Sequence, residues 1–364
     1  MRKHLKFIVL ILLAALILWW FGRGLDWKEV TGAVRSADWR LLLAAVAVIC
    51  VGYLIRAYRW RTLLAPLTPA RLREVFVATT MGFAAIFVFG RAGEVVRPVV
   101  LPLRERRVRP AASFVTIAVE RICDMTLIAV LFALNLLWFP VPANRVAEFA
   151  TIRRSGVILL AAIALGLLGL AWFRRRSKGA IGWLDKRFKR LSFIPQRVSQ
   201  TVIHLLEQLA RALSIFVDAR ELMVTAAWTC SLWIAVGIAT WLILHAFGLG
   251  FGPKESLFVM CWGLVGSMVP TPGGSAGAFH ATTQYGLHTF LSVDPNKSAA
   301  IAIIMHLVFF GPALIFGLYY FLRGEVSLKR VRELARPEAV EHAVEDEDLD
   351  INSLESEKKI YSTL

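Results

Sequence analysis

Six separate apolar runs, each near the length of a bilayer crossing, decide what this chain can become. They are Leu5–Phe21, Leu41–Ile55, Ser113–Phe139, Gly156–Phe173, Leu222–Phe247 and Ala299–Leu322. A helix rises 1.5 Å per residue, so roughly 20 apolar residues cover the ~30 Å of hydrocarbon in a membrane. Backbone amides in that medium must be satisfied within their own segment, so the runs predict α-helices and not strands with open edges. Trp19, Trp20, Tyr53, Trp138, Trp172, Tyr319 and Tyr320 flank several runs, as amphipathic rings do at a membrane surface. The chain is 57% hydrophobic, above the roughly 45–50% of soluble domains. The first run has the basic start of a signal peptide, but it has no clear small-x-small cleavage site and is read as a retained helix.

The formal net charge is +16, which invites a polyanion partner. Its placement says otherwise. With the N-terminus in the cytoplasm, 30 lysines and arginines of residues 1–336 fall on that side and 9 on the other. That split is the positive-inside rule, and it accounts for the basic balance without nucleic acid. Both termini are expected in the cytoplasm. Cys50, Cys123, Cys230 and Cys261 are scattered through apolar segments and read as small hydrophobes. No His, Cys or carboxylate cluster has the spacing of a zinc site, so neither metal nor cofactor is expected.

Two further apolar stretches are short and broken. Val75–Phe89 has arginine-rich flanks on both sides and ends in Gly90-Arg91-Ala92-Gly93-Glu94. A segment that enters from the cytoplasm and returns fits it better than a crossing. Leu257–Val269 is interrupted by Pro270-Thr271-Pro272-Gly273-Gly274-Ser275-Ala276-Gly277 and followed by a second limb, Ala278–Leu291. Its flanks fall on the external side. The alternative is a pair of ordinary kinked spanning helices. The expected fold is therefore an all-α polytopic membrane protein of about six spanning helices plus two re-entrant or broken segments. Segments entering from opposite faces point to an inverted repeat, whose broken helices mark a transport site near the midplane.

The transmembrane region is expected over residues 1–325, with halves at about 5–173 and 221–325 joined by a connector at 178–220. Leu191–Phe216 has helical apolar spacing and reads either as an amphipathic helix on anionic headgroups beside the basic run Arg174–Arg190, or as a solvated linker. Residues 326–364 form an acidic tail, expected to be disordered and cytoplasmic.

Charges inside apolar runs cost about 2.5–3.5 kcal/mol each on insertion scales, so each calls for a reason. Glu120 and Asp124 share a helical face with Arg121 between them. They are either an ion-pair knot or the wall of a polar cavity, with Arg121 meeting an anionic headgroup. Glu94 and Arg97 could reach the same cavity, and Arg91, Arg97 and Arg121 could converge on a phosphate, for which the planar guanidinium is suited. Arg91 reads equally as topogenic charge. In the second segment Pro272, Gly273, Gly274 and Gly277 allow a tight turn and open amides. His280 is the nearest titratable group; His245 and His306 are weaker candidates.

Gly90-Arg91-Ala92-Gly93-Glu94 with Arg97-Pro98, then Glu120-Arg121-x-x-Asp124, then Pro270-Thr271-Pro272-Gly273-Gly274 resemble the lysylphosphatidylglycerol synthase transmembrane-region family. This is the flippase-like module of bacterial multiple peptide resistance factors, which also occurs alone. The resemblance covers about residues 5–325. It implies movement of a phospholipid or polyprenyl-phosphate-linked lipid between leaflets of the bacterial cytoplasmic membrane. In the full-length factors a separate soluble domain makes the aminoacylated lipid. That domain is not expected here, so lysyl transfer, and enzymatic activity in general, are not. Where the family often carries an acidic residue after the Pro-Gly-Gly turn, this chain has Ala278-Phe279-His280.

The leading expectation is a lipid transporter with Arg97 and Arg121 as phosphate contacts, and with Glu94, Glu120 and Asp124 setting local charge or binding a cationic headgroup. The alternatives are a proton-coupled carrier of a small solute and a membrane-embedded enzyme of lipid or glycan assembly. Self-association is left open.

Overall fold

The computed structural model describes residues 21–139, 146–190, 219–269 and 273–323, with isolated positions at 16, 19 and 203. Most of the Leu5–Phe21 run, nearly all of the 191–216 segment and the 326–364 tail lie outside the described residues. Among the described residues there are helices and no strand, as the apolar runs require. The chain divides into two compact units, one of Met1–Phe114 with Leu232–Leu364 and the other of Val115–Ser231.

The first unit opens with α1 (Trp27–Ser36), whose N-terminal amides are capped by the Asp26 carboxylate. The stretch is too polar to cross a membrane. Its exposed Trp27 and its cap instead mark a short amphipathic helix. Next comes α2 (Trp39–Leu64), capped by Asp38. It runs nine residues past the predicted Leu41–Ile55 and takes Arg56, Arg59 and Arg61 into the helix. Arginine is a good helix former, and its long stem can lie along apolar neighbours while the head finds an aromatic face.

The first broken segment is a helical hairpin. Helix α3 (Leu72–Phe89) leads into a 3-10 turn (Gly90–Val95), and α4 (Val96–Arg104) returns. Gly90 takes φ 62°, a left-handed conformation that only glycine adopts without strain. The limbs run antiparallel in backbone contact. A Cβ at Gly93 would overlap the Ala85 backbone, and one at Gly82 would stand 2.6 Å from Arg97 Cβ. At the open end Arg104 Nη2 meets Glu74 Oε2 at 2.6 Å and Arg71 Nε donates to Glu105 Oε2 at 2.8 Å. The chain thus leaves the hairpin at the end where it entered.

The second broken segment repeats the plan. Helix α8 (Pro253–Ser267) and α9 (Ala276–Tyr285), the latter extended by a π-helical turn (Gly286–Phe290), lie antiparallel. A Cβ at Gly266 would overlap Thr282 Oγ1 and the Ala278 carbonyl, and one at Gly286 would stand 2.9 Å from the Trp262 ring. Trp262 stacks on Phe290, with centroids 5.6 Å apart.

Helix α10 (Pro295–Leu322), 28 residues long, carries both hairpins. At one end Gln284 Nε2 donates to Pro295 O, and Asp26 N to Asn296 Oδ1. Towards the other end Phe76 packs on Phe316, and Gly317 leaves room for the Thr80–Ala84 stretch of α3. The hairpins therefore approach α10 from opposite ends.

The second unit holds most of α5 (Pro110–Trp138), all of α6 (Val146–Arg190) and the start of α7 (Ala219–Ala246). Helix α6 is 45 residues long, and only Arg176 departs from helical geometry, at φ −128°. The helix kinks there, and the basic stretch to Arg190 is a second helical limb and not the start of a loop, since Arg and Lys favour helix and no proline intervenes. Helices α2, α3, α7 and α10 are each long and apolar enough to cross a membrane.

Candidate functional site

The hairpin tips meet at the middle of α10. Its centre lies about 20 Å from either end at 1.5 Å per residue, where His306 and Phe310 face both tips. From the first hairpin, Phe87 sits 5.6 Å from the His306 ring and 6.2 Å from Phe310. From the second, Gly274 O accepts from His306 Nε2 at 3.3 Å. That turn is held in three consecutive left-handed conformations, Gly273 (φ 74°), Gly274 (φ 61°) and Ser275 (φ 64°). Glycine adopts this at no cost, whereas Ser275 is strained. Its hydroxyl supplies the compensation by donating to Val269 O at 2.6 Å, which closes the tip, after which α9 begins at Ala276.

His280, one turn into α9, is buried beside Phe21 and lies 5.0 Å from His306, ring to ring. Its Nε2 has no hydrogen-bond partner. Gly273, Gly274, Gly277 and His280 all belong to this tip and the start of α9, and His306 lies against them. Pro272 lies outside the described residues, as do Pro270 and Thr271.

The first hairpin places its candidates elsewhere. Glu94 is half-buried in the 3-10 turn. Arg97 is buried, with its guanidinium 4.2 Å above the Trp60 ring of α2. Only glycine at position 82 admits α4 this close. The side chain of Arg91 is outside the described residues.

Glu120, Arg121 and Asp124 belong to the second unit. Arg121 Nη2 donates to Glu120 Oε1 at 3.0 Å and lies 3.5 Å from Asp124 Oδ2. Both acids are buried while Arg121 is 31% exposed. Arg121 thus bridges two desolvated carboxylates. Breaking a buried pair costs about 3–5 kcal/mol, less where the lost partner is partly solvated. Arg121→Ala should accordingly lower the melting temperature in detergent, and adding Glu120→Gln and Asp124→Asn should recover most of the loss. A single variant as stable as the wild type would remove the neutralising role.

A shallow cleft opens beside the second tip. Its wall takes Tyr53 and Arg56 from α2, Phe83 from α3, Trp233 from α7, Ser267 from the end of α8, Phe279 from α9, and Phe309 and Phe310 from α10. Among the described residues lining it, Arg56 is the one charged side chain. Its guanidinium lies 4.7 Å over Phe83 and 6.0 Å from Tyr53. Tyr53 OH donates to Phe309 O at 2.8 Å, one residue from the Val308 carbonyl that Pro312 leaves without its helical donor. In the sequence Arg56 belongs to the arginine-rich flank that precedes Val75–Phe89. The missed signal is that α2 continues helically to Leu64, which puts Arg56 about two turns inside the helix end. Among the described residues no group of three metal ligands forms.

Residues 7–317 match the family described as the lysylphosphatidylglycerol synthase TM region. The chain belongs to that family. It is also similar, at 24% identity over 320 residues, to a UPF0104 membrane protein of Pyrococcus horikoshii, covering 84% of this chain and 91% of that one. The family match spans both hairpins and all of the charged motifs on which the resemblance was drawn. The protein is thus a multi-pass helical membrane protein of a lipid-related family.

Proposed function

We propose that this member of the lysylphosphatidylglycerol synthase TM-region family carries a phospholipid, or another lipid-linked headgroup, between membrane leaflets without chemical change. The observation that carries the reading is the meeting of two opposed hairpins halfway along a membrane-length helix, next to an open cleft. Irregular backbone at membrane depth is tolerated where it lines protein or a wet cavity, and broken helices of this kind frame transport sites. A headgroup passing the tips would meet backbone carbonyls, histidines and aromatic faces in turn while its chains stayed in lipid.

The end of the first unit that bears Arg71, Arg104 and Arg323 faces the cytoplasm in this reading, as the charge distribution favours. The membrane is the cytoplasmic membrane, and the basic face meets anionic headgroups. The test is reconstitution in vesicles with a headgroup-labelled phosphatidylglycerol and an impermeant quencher. Wild type should expose the inner-leaflet pool, whereas protein-free vesicles protect it. Continued protection with folded protein present contradicts the proposal for that lipid class.

The stacked His280–His306 pair supports one second reading, a proton-coupled solute carrier. His280→Phe keeps the aromatic packing and removes the titratable group. Undiminished lipid exposure in that variant favours the lipid reading, while lost proton-driven solute uptake with unchanged lipid exposure favours the carrier.

A further inference from the structure

We infer that α10 is hinged at Gly311-Pro312, between the parts that hold the two hairpins, and that the Tyr53 hydroxyl latches the hinge. Its role rests on the transport reading above, for which the hinge supplies the motion that parts the tips. Three features of the fold carry it.

The first is the backbone of α10 itself. Pro312 lies inside this 28-residue helix. It has no N–H, so the Val308 carbonyl loses its helical donor and is crowded by the proline ring. Gly311 stands beside it, and glycine supports a helix less than any residue but proline. A Cβ at Gly311 would meet nothing within 4 Å, so this glycine is not there to admit a neighbour. Sharp bends in long helices arise mostly at prolines and where a side chain enters the hydrogen-bond ladder. Both causes coincide here.

The second is the latch. Tyr53 comes from α2, is buried, and donates its hydroxyl to Phe309 O at 2.8 Å. The side chain of another helix thus reaches the ladder of α10 where proline has opened it. In hydrocarbon, backbone freed by proline is served by neighbours in this way. The bond is single and neutral, so it breaks and re-forms at modest cost. Tyr53 also packs edge-on against Phe83 of α3, with ring centroids 5.4 Å apart, which ties the latch to the first hairpin.

The third is what each side of the hinge carries. Before it, the second hairpin is fixed to α10 by Gln284 on Pro295 O, by Gly274 O on His306, and by Phe279 on His306 and Phe309. After it, the first hairpin is fixed by Phe76 on Phe316 and by the close approach of Gly317 to Thr80, Met81 and Ala84. A bend at Gly311-Pro312 therefore swings one hairpin against the other. The Phe87 ring reaches back over the hinge to His306 and Phe310, and this tip contact is the one such a swing opens. A few residues between two packed bodies are the usual form of a hinge, and transporter halves rock about such points.

The experiment reads a distance in the full chain, so it succeeds or fails independently of transport. Cys50, Cys123, Cys230 and Cys261 are replaced, and spin labels are placed at Leu67→Cys and Gly250→Cys. These positions are exposed and precede the first and second hairpins. Double electron–electron resonance then gives their separation in vesicles of phosphatidylglycerol and phosphatidylcholine. The protein with native Tyr53, Gly311 and Pro312 should show two separations. Tyr53→Phe keeps the ring and removes the bond, and should shift the ratio of the two about fivefold, the scale of one neutral hydrogen bond. Pro312→Ala returns a donor to Val308 O. It should leave one separation, raise the melting temperature and cut lipid exposure about tenfold or more, because proline and alanine differ by more than that factor in helix stability. Gly311→Ala fits the open space and should act in the same direction, which keeps the test decisive should Pro312→Ala not fold. One separation throughout, or two that persist in both Pro312→Ala and Gly311→Ala, would overturn the hinge. Two separations that respond to these variants, in protein that exposes no lipid, would leave the hinge standing and remove only the transport reading.

Discussion

Glu74→Ala will cost this protein about 3–5 kcal/mol of stability, because it strips the carboxylate from a buried guanidinium. Glu74 and Arg104 close the open end of the first hairpin at 2.6 Å, with side chains 7% and 9% exposed. In so dry a place the pair is worth little against an apolar substitute but is expensive to break on one side only. Two comparisons isolate that cause. Arg71, on the neighbouring pair with Glu105, is 71% exposed, so Arg71→Ala should cost under about 1 kcal/mol. The double variant Glu74→Ala with Arg104→Ala should be more stable than Glu74→Ala alone. Melting in detergent reads all three. A Glu74→Ala loss no larger than that of Arg71→Ala would mean that the hairpin base is wet.

The second large effect sits at the other hairpin. Gly266→Leu should cost about 3 kcal/mol or more, at or beyond the upper end for overpacking, because the obstacle includes a backbone carbonyl. A side chain there would collide with Ala278 O and Thr282 Oγ1 on the returning limb. Contacts of that kind cannot rotate away, so the limbs must part. Gly263 is a milder case, since its obstacles are the Phe279 ring at 2.9 Å and the Thr283 hydroxyl. Gly237→Ala should have the opposite sign, because Gly237 has nothing within 4 Å and lies mid-helix in α7. Removing glycine there gains up to about 1 kcal/mol of helix propensity. A stable Gly266→Leu protein would show that α8 and α9 do not lie in backbone contact.

The two hairpins were legible because each combines three independent signals: an apolar stretch too short for comfort, a glycine turn, and flanks of matching sidedness. The chemistry of the membrane forces those signals on any sequence that folds this way. Gly90, Gly273 and Gly274 all prove to hold left-handed backbone, and the Glu120–Arg121–Asp124 cluster forms the ion pairs that its spacing dictates. The functional surroundings were harder to read. Arg97 looked like a cavity cation, yet it packs on Trp60, a residue thirty-seven positions earlier that no local pattern connects to it. The stacking of Arg56 on Phe83 was equally hidden, because the two residues lie on different helices. His306 gained its importance only from tertiary placement, because α10 alone does not reveal that Gly274 and Phe87 meet it. Periodicity and charge describe segments one at a time, whereas a site is made by pairs of segments.

Sidedness of the hairpin ends is the most direct test of this account. With Cys50, Cys123, Cys230 and Cys261 replaced, single cysteines at Leu67 and Arg106 bracket the first hairpin, and those at Gly250 and Ser292 bracket the second. All four positions are exposed. An impermeant thiol reagent applied to sealed, oriented vesicles should label Leu67→Cys and Arg106→Cys from one face, and Gly250→Cys and Ser292→Cys from the other. If either hairpin shows its two ends on opposite faces, that segment is an ordinary crossing, and the meeting of opposed tips on α10 is contradicted.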